Sequence, residues 1–143
     1  MKKVSARGII IKDNKVLLIY REKAGDIYYS IPGGKVEEGE KLEETVVREV
    51  LEETSINVKP LKYLGVFGAT NINFEQHLFL CEYIDGEPKL GDAIEKEIMT
   101  KDPTNFYRPE WVNIGDVASL KVRPDHAEEF FKNYIKTPPK NVF

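Results

Sequence analysis

One strongly helical segment, residues 41–54, lies in the middle of a chain whose other apolar segments are typical of strands. On a helical wheel its apolar side chains cover one broad arc, formed by Leu42, Val46, Val47, Val50 and Leu51. Such an arc must be buried, and the β-rich segments on both sides of the helix offer a sheet as its partner. The segment therefore predicts a layered domain in which a helix covers a sheet.

Segments rich in Val, Ile, Leu and aromatic residues predict strands at 4–11, 15–20, 27–32, 57–68, 74–84 and 111–114. Asp13-Asn14 separates the first two as in a hairpin, and Pro32-Gly33-Gly34 ends the third. The polar stretch 89–108 is typical of a long loop, and a final helix is predicted from about 124 to 135. We therefore expect one domain over residues 1–143, of α/β or α+β class, with a mixed sheet covered by helices.

The charge and the cysteine content narrow the functional classes. The 143 residues carry a formal net charge of -3, unlike the basic surface of a general nucleic-acid binder. Cys81 is the single cysteine, so no intramolecular disulfide can form and a reducing compartment is favoured. No apolar run has the length of a membrane span. We therefore expect a cytoplasmic protein with a small-molecule partner, no nucleic-acid or membrane partner, and local phosphate recognition through a metal ion.

Three carboxylates of the helical segment are clustered beside its apolar arc. Glu52 and Glu53 follow Glu49 by three and four residues, so the three acids lie close together on a helix and repel one another. A hard divalent cation such as magnesium would relieve that repulsion, because it prefers oxygen ligands. The alternative is an ordinary solvated glutamate-rich face. The border position of the acids and the Gly33-Gly34 turn before the helix favour the metal interpretation.

The segment from Gly34 to Ile56 resembles the signature of the Nudix hydrolases, G-x5-E-x7-R-E-U-x-E-E-x-G-U, in which U is a bulky aliphatic residue. The charged positions match in identity and spacing at Glu40, Arg48, Glu49, Glu52 and Glu53. Ser55 is the one departure, because the family usually has a glycine there that ends the helix. The departure concerns the backbone geometry at this position and removes no chemical group.

The resemblance implies a Nudix-type α/β/α sandwich around a central mixed sheet. It also implies hydrolysis of a phosphoanhydride bond in a nucleoside diphosphate derivative, with magnesium, or alternatively manganese, as the cofactor. The expected metal ligands are Glu49, Glu52 and Glu53, of which Glu52 and Glu53 are the expected direct ones, together with the carbonyl of Gly34. Gly33 and Gly34 are expected to shape the loop before the helix, and Glu40 to stabilise it.

The resemblance also suggests catalytic roles next to the metal. The fork of Arg48 suits orienting Glu49 or Glu52, against the alternative of an ordinary surface ion pair. The general base of this family is sometimes a helix glutamate and sometimes an acid on a distant loop. The catalytic candidates are therefore Glu52, Arg48 and Glu95, and the alternative for Glu95 is a merely solvated loop acid.

The substrate is less constrained than the chemistry. Phe74, Tyr107 and Trp111 are candidates for stacking on a base, with a core or rim position as the alternative for each. ADP-ribose-type members typically have a proline downstream of the motif, and residues 69–73 contain none. We therefore rank a pyrophosphohydrolase of nucleoside di- or triphosphate derivatives above an ADP-ribose or nucleotide-sugar pyrophosphatase. A nucleotide-binding regulator ranks third, since the motif acids are kept, and the resemblance allows a homodimer.

Overall fold

The computed structural model of the chain describes residues 3–67, 74–91, 105–124 and 127–136. Its strands are β1 (Lys3–Lys12), β2 (Lys15–Lys23), β3 (Asp26–Ser30), β4 (Gly33–Lys35), β5 (Asn57–Phe67), β6 (Phe74–Asp85), β7 (Phe106–Asn113) and β8 (Val122–Arg123). Its helices are α1 (Leu42–Thr54), α2 (Ile114–Val117) and α3 (Glu128–Lys136). No helix in these ranges is long and apolar enough to cross a membrane.

The strands of the described ranges form a mixed sheet in the order β5-β6-β1-β2-β3-β8, with β4 paired to β1 and β7 to β2. The pairs β1·β6 and β3·β8 are parallel, and the other pairs are antiparallel. Only the end of β1 pairs with β2, while most of β1 pairs with β6. The sheet is therefore curled, with β1 shared between its two halves.

The core lies on both faces of this sheet, because side chains alternate along each strand. Ile10 of β1 is buried on the face covered by α1, beside Val46 and Val50. Ile9 is buried on the opposite face, in a cluster that contains Phe131 of α3. The predicted α/β/α arrangement around a mixed sheet is thereby confirmed.

Two strands, β4 and β7, differ from the sequence prediction, and the final helix begins at Glu128 instead of about residue 124. The third strand was predicted over 27–32 and ends at Ser30, and the glycines expected to stop it begin a separate strand, β4, that pairs antiparallel with Ser5–Arg7 of β1. The predicted loop 89–108 ends earlier, because β7 begins at Phe106 and pairs along its whole length with β2. Both strands depend on a distant partner more than on local propensity, which is why the local pattern did not reveal them.

Ser55 ends α1 in the left-handed conformation that the glycine of the resembled signature would adopt. Its φ is 65° and its ψ is 17°, and its N–H donates to the carbonyl of Leu51 at 2.9 Å. The Ser55 hydroxyl also donates to the carbonyl of Lys89 at 2.7 Å. The departure from the signature therefore preserves the cap geometry.

The role of backbone strain at Ser55 can be tested with two variants that both lose the same hydrogen bond. Ser55→Gly and Ser55→Ala both remove the hydrogen bond to Lys89, but only glycine adopts a positive φ without strain. We expect Ser55→Gly to be more stable than Ser55→Ala by about 1 kcal/mol. Urea unfolding of the two variants measures this difference. Equal stabilities would contradict the assignment of backbone strain to this position.

Candidate metal and substrate site

Arg48 connects the loop before α1 to the carboxylates of the helix. Its Nε donates to Oε2 of Glu40 at 2.8 Å, and its Nη2 donates to Oε1 of the same carboxylate at 3.0 Å. Its Nη1 donates to Glu49 at 2.8 Å and contacts Glu52 at 3.4 Å. Nη2 also donates to the carbonyl of Lys35 in β4 at 3.1 Å. Arg48 therefore touches both acids that it was expected to orient, and it ties them to the loop.

Glu40 is the acceptor that holds this loop together. Besides Arg48, it accepts hydrogen bonds from the Thr45 hydroxyl at 2.5 Å and from the backbone N–H of Glu37 at 3.1 Å. The hydrogen bonds from Arg48, and then from Thr45, lower the pKa of Glu40 from 4.5 to about 2. Glu40 therefore favours the folded state in its ionised form.

The pKa of Glu40 gives a pH dependence with a definite sign. Because its pKa is lowered on folding, its ionised form stabilises the protein above pH 4.5, and this contribution is lost as the pH falls towards 2. We expect Glu40→Gln to be less stable than the wild type at pH 7, and the gap to shrink below pH 4.5. Denaturant unfolding across this range measures the gap, with Glu38→Gln, an exposed acid of the same loop, as control. A gap that is constant with pH would contradict the prediction.

Glu49 and Glu53 meet at the inner end of the acid cluster. The Glu49 carboxylate lies against Gly34, where a Cβ atom would come within 2.6 Å of the Glu49 Cδ. Glu53 accepts a long hydrogen bond of 3.3 Å from the Gly33 N–H and contacts Glu49. Burial raises the pKa of Glu53 well above its usual range, Arg7 opposes that shift, and Glu49 adds to it. Two carboxylates are thus held together in a poorly hydrated place.

Two of the three expected carboxylate ligands, Glu49 and Glu53, lie where they could bind a hard cation together. A divalent cation would offset the charge that Glu49 and Glu53 concentrate beside Gly34. Within the described residues no three His, Cys, Asp or Glu side chains converge as a metal set. The third acid, Glu52, is half exposed and contacts Arg48 instead. It lies one turn from Glu49, on the helix face that carries the other two.

A cavity of about 300 Å³ opens beside these acids. Gly33 and Glu53 belong to its wall, so the acid cluster and the cavity are continuous. The cationic side chains of the wall come from three different strands, namely Arg7 of β1, Arg21 of β2 and Arg123 of β8. The volume is at the lower end of small-molecule sites, which span roughly 300–1,000 Å³. The cavity is therefore suited to one compact, anionic portion of a ligand.

Arg7 is the innermost cation of this wall. Its Nε donates to Gln76 at 2.6 Å and its Nη1 donates to the carbonyl of Ile31 at 2.7 Å. Burial lowers the pKa of Arg7, and the charge of Glu53 is the largest opposing influence. Arg7 is thus the counter-charge of Glu53. Sequence reasoning missed it, although an arginine among the mostly apolar residues of the first predicted strand was an available signal.

The three aromatic side chains proposed for base stacking do not come together. Tyr107 lines the cavity. Trp111, four residues further along β7 and therefore about 13 Å away, packs near Tyr83 at a ring distance of 5.8 Å. Phe74 is exposed at the start of β6, with the ammonium of Lys3 5.5 Å from its ring centroid. Glu95 lies outside the described residues and stays a prediction.

Comparison with known proteins agrees with this geometry. The NUDIX domain family model matches residues 1–134. An ADP-ribose pyrophosphatase of Methanocaldococcus jannaschii is 43% identical over 138 residues, which cover 93% of this chain and 73% of the relative. The NAD-capped RNA hydrolase NudC of Klebsiella pneumoniae subsp. pneumoniae is 35% identical over 102 residues. That match covers 69% of this chain and 36% of the relative.

Solved structures show the same fold. A NUDIX hydrolase from Nitrosomonas europaea superposes with a TM-score of 0.73 at 20% identity, over 96% of this chain and 74% of the other. An ADP-ribose pyrophosphatase from Streptococcus suis superposes with a TM-score of 0.68 at 17% identity, over 100% and 96% of the two chains. The family match, the 43% identical relative and the shared fold agree. This chain is a member of the Nudix hydrolase family.

Proposed function

We propose that this protein is a magnesium-dependent nucleotide pyrophosphohydrolase that cleaves a phosphoanhydride bond in a nucleoside di- or triphosphate derivative. The observation that carries this proposal is the continuity of the acid cluster with the arginine-lined cavity, which share Gly33 and Glu53. A diphosphate at the acids would place its adjoining group in the cavity. The remaining requirement is a cation, because the acids alone would repel phosphate.

In this proposal Glu49, Glu52, Glu53 and the carbonyl of Gly34 hold magnesium, or manganese. The cation supplies charge neutralisation for the phosphates and Lewis-acid activation of the attacking water. Arg48 is a positioning residue, because its bonds at 2.8 Å to Glu40 and Glu49 fix the direction of the Glu49 carboxylate. Proton removal from the water is assigned to Glu52 or Glu95.

A second candidate substrate is ADP-ribose or a nucleotide sugar. It is favoured by the Methanocaldococcus jannaschii relative, which is named an ADP-ribose pyrophosphatase and is 43% identical over 93% of this chain. Both candidates require the same bond cleavage and the same acids, and they differ in the group that leaves with the second phosphate. Product identity therefore separates them.

The test is a panel of nucleoside triphosphates, ADP-ribose and nucleotide sugars, incubated with the protein with and without magnesium and resolved by chromatography. The proposal expects a nucleoside monophosphate as product and no turnover in the presence of a chelator. Release of pyrophosphate from a triphosphate supports the first candidate, and release of ribose 5-phosphate from ADP-ribose supports the second. Tight binding without turnover of any member would instead support a nucleotide-binding regulator.

We also propose a cytoplasmic location and a small-molecule partner without nucleic acid. The location is supported by Cys81, which is buried with a free thiol whose pKa burial raises to about 12. The homodimer allowed by the family resemblance stays a prediction. Light scattering of the purified protein, combined with size-exclusion chromatography, measures its mass in solution.

A further inference from the structure

Among the described residues of the cavity wall, cationic side chains outnumber acidic ones. Three arginines line it, and Glu53 is the single carboxylate among its described lining residues. Arg7 is already committed to Glu53, Gln76 and the backbone of Ile31. Arg21 and Arg123 are the two other cations of the wall, and Glu53 is not the dedicated partner of either. A surplus of cations in a small, partly enclosed volume favours an anionic occupant.

Aromatic rings hold these two guanidinium groups in place. The Arg21 guanidinium carbon lies 4.0 Å from the ring centroid of Tyr107 and 5.3 Å from that of Tyr28. The Tyr107 hydroxyl also accepts a hydrogen bond from Arg21. The Arg123 guanidinium carbon lies 4.9 Å from the ring centroid of Tyr28. Cations therefore cover ring faces that a nucleobase would use, and the ring contacts restrict two charged side chains of the cavity wall.

Neither guanidinium has its donors fully used by the described part of the protein. Arg21 Nε is buried and has no hydrogen-bond partner there, which is costly for a charged donor. Arg123 reaches a carboxylate oxygen of Asp26 only at 3.9 Å, while the other oxygen accepts from Lys121 at 3.0 Å. Both guanidinium groups line the cavity, and no described carboxylate neutralises either of them through a close ion pair.

We propose that Arg21 and Arg123 are specificity-determining residues that bind an oxyanion carried by the substrate beyond its scissile bond. This inference rests on the proposed function, and it narrows the substrate class to nucleotides whose distal group is acidic. The oxyanion is the terminal phosphate of a triphosphate or the carboxylate of a sugar acid. Gly33 and Glu53 belong to both the acid cluster and the cavity wall, so a substrate bound at the acids would extend its distal group into the cavity.

Two substrate pairs test the inference, and each pair differs by one anionic group. UDP-glucuronate is compared with UDP-glucose, and ATP with ADP, by measuring kcat/KM with magnesium. For at least one pair we expect the wild type to prefer the more acidic member. Arg21→Gln and Arg123→Gln should each reduce that preference about tenfold, the effect of one charge-assisted hydrogen bond. Arg21→Lys should restore part of it, because the charge returns without the fork.

A matched control is Arg108→Gln. Arg108 carries the same charge on β7 next to Tyr107, but it lies over Tyr20 and pairs with Glu110 at 3.1 Å, outside the cavity wall. Its loss should leave the preference unchanged. A reduction confined to the ATP/ADP pair assigns the oxyanion as a phosphate, and one confined to the UDP-sugar pair assigns it as a carboxylate. Equal preferences in wild type, Arg21→Gln and Arg123→Gln would overturn the inference.

Calorimetric titration of the same four nucleotides, with calcium in place of magnesium to offset the charge of the acids, separates this inference from the proposed function. The proposed function fails if the wild type turns over no member of the panel. Even then, the ratio of the dissociation constants within each pair decides whether the arginines bind the anionic group. Arg123→Gln is the second variant in case Arg21→Gln is unfolded, since the Arg123 side chain is half exposed.

Discussion

Glu53→Gln is expected to lower magnesium-dependent hydrolysis about 1,000-fold or more while the protein stays folded. Glutamine preserves the shape and the hydrogen-bond acceptor for the Gly33 N–H, but it cannot supply a negative oxygen to a cation. Because burial raises the pKa of Glu53, its ionised form is unfavourable in the folded protein without a cation. The substitution should therefore lower the melting temperature less in the presence of a chelator than in the presence of magnesium.

Activity and thermal unfolding, each with and without magnesium, measure the two halves of this prediction. Magnesium should raise the melting temperature of the wild type and should raise that of Glu53→Gln much less, because a ligand stabilises only the state that binds it. Glu43→Gln, an exposed acid at the start of α1, is the matched control and should behave like the wild type. Turnover of Glu53→Gln near the wild-type rate would refute its assignment as a metal ligand.

Gly33→Ala and Gly34→Ala are expected to damage different properties, although the two residues are neighbours. A Cβ atom at Gly33 would lie 2.4 Å from the Ala6 carbonyl oxygen and 2.5 Å from the Arg7 Cα, and the φ of 153° is itself unfavourable for alanine. Because backbone atoms of β1 cannot move aside without breaking the β1·β4 pairing, we expect a loss of about 3 kcal/mol of stability.

At Gly34 the nearest atoms belong to the flexible carboxylate of Glu49, the closest at 2.6 Å. Gly34→Ala should therefore fold, with Glu49 displaced and magnesium affinity reduced about 10- to 100-fold. Urea unfolding and magnesium titration of both variants measure the contrast, with Gly115→Ala as control because nothing lies within 4 Å of its Cβ position. Equal losses of stability in Gly33→Ala and Gly34→Ala would contradict this explanation of the loop.

The extent of sequence-based prediction differs between α1 and the strands that flank it. The helix was predicted over residues 41–54 and spans Leu42–Thr54, because its apolar arc and its N-terminal contact, Glu44 to the Lys41 N–H at 2.9 Å, are local. The loop prediction for 89–108 was wrong at its end, where Phe106 begins β7. That strand forms because β2 lies beside it, and a local pattern does not contain the partner.

The candidate site shows the same difference between local and long-range information. Glu49, Glu52 and Glu53 could be grouped from the sequence because helix geometry alone places residues three and four apart side by side. The contact of Arg48 with Glu40 needed the loop to fold back on the helix, yet the signature spacing already predicted both residues. The sequence by itself therefore determined the helix, its acid cluster and the family.

The cavity was decided by the tertiary structure. Arg7, Arg21 and Arg123 lie on β1, β2 and β8, and no local spacing relates them. They meet because β2 pairs with β3, β3 pairs with β8, and the curled sheet brings these strands next to β4 and the end of α1. Strand pairing joins residues that are distant in sequence, so the acids were visible from the sequence, whereas the cations beside them became visible only in the folded protein.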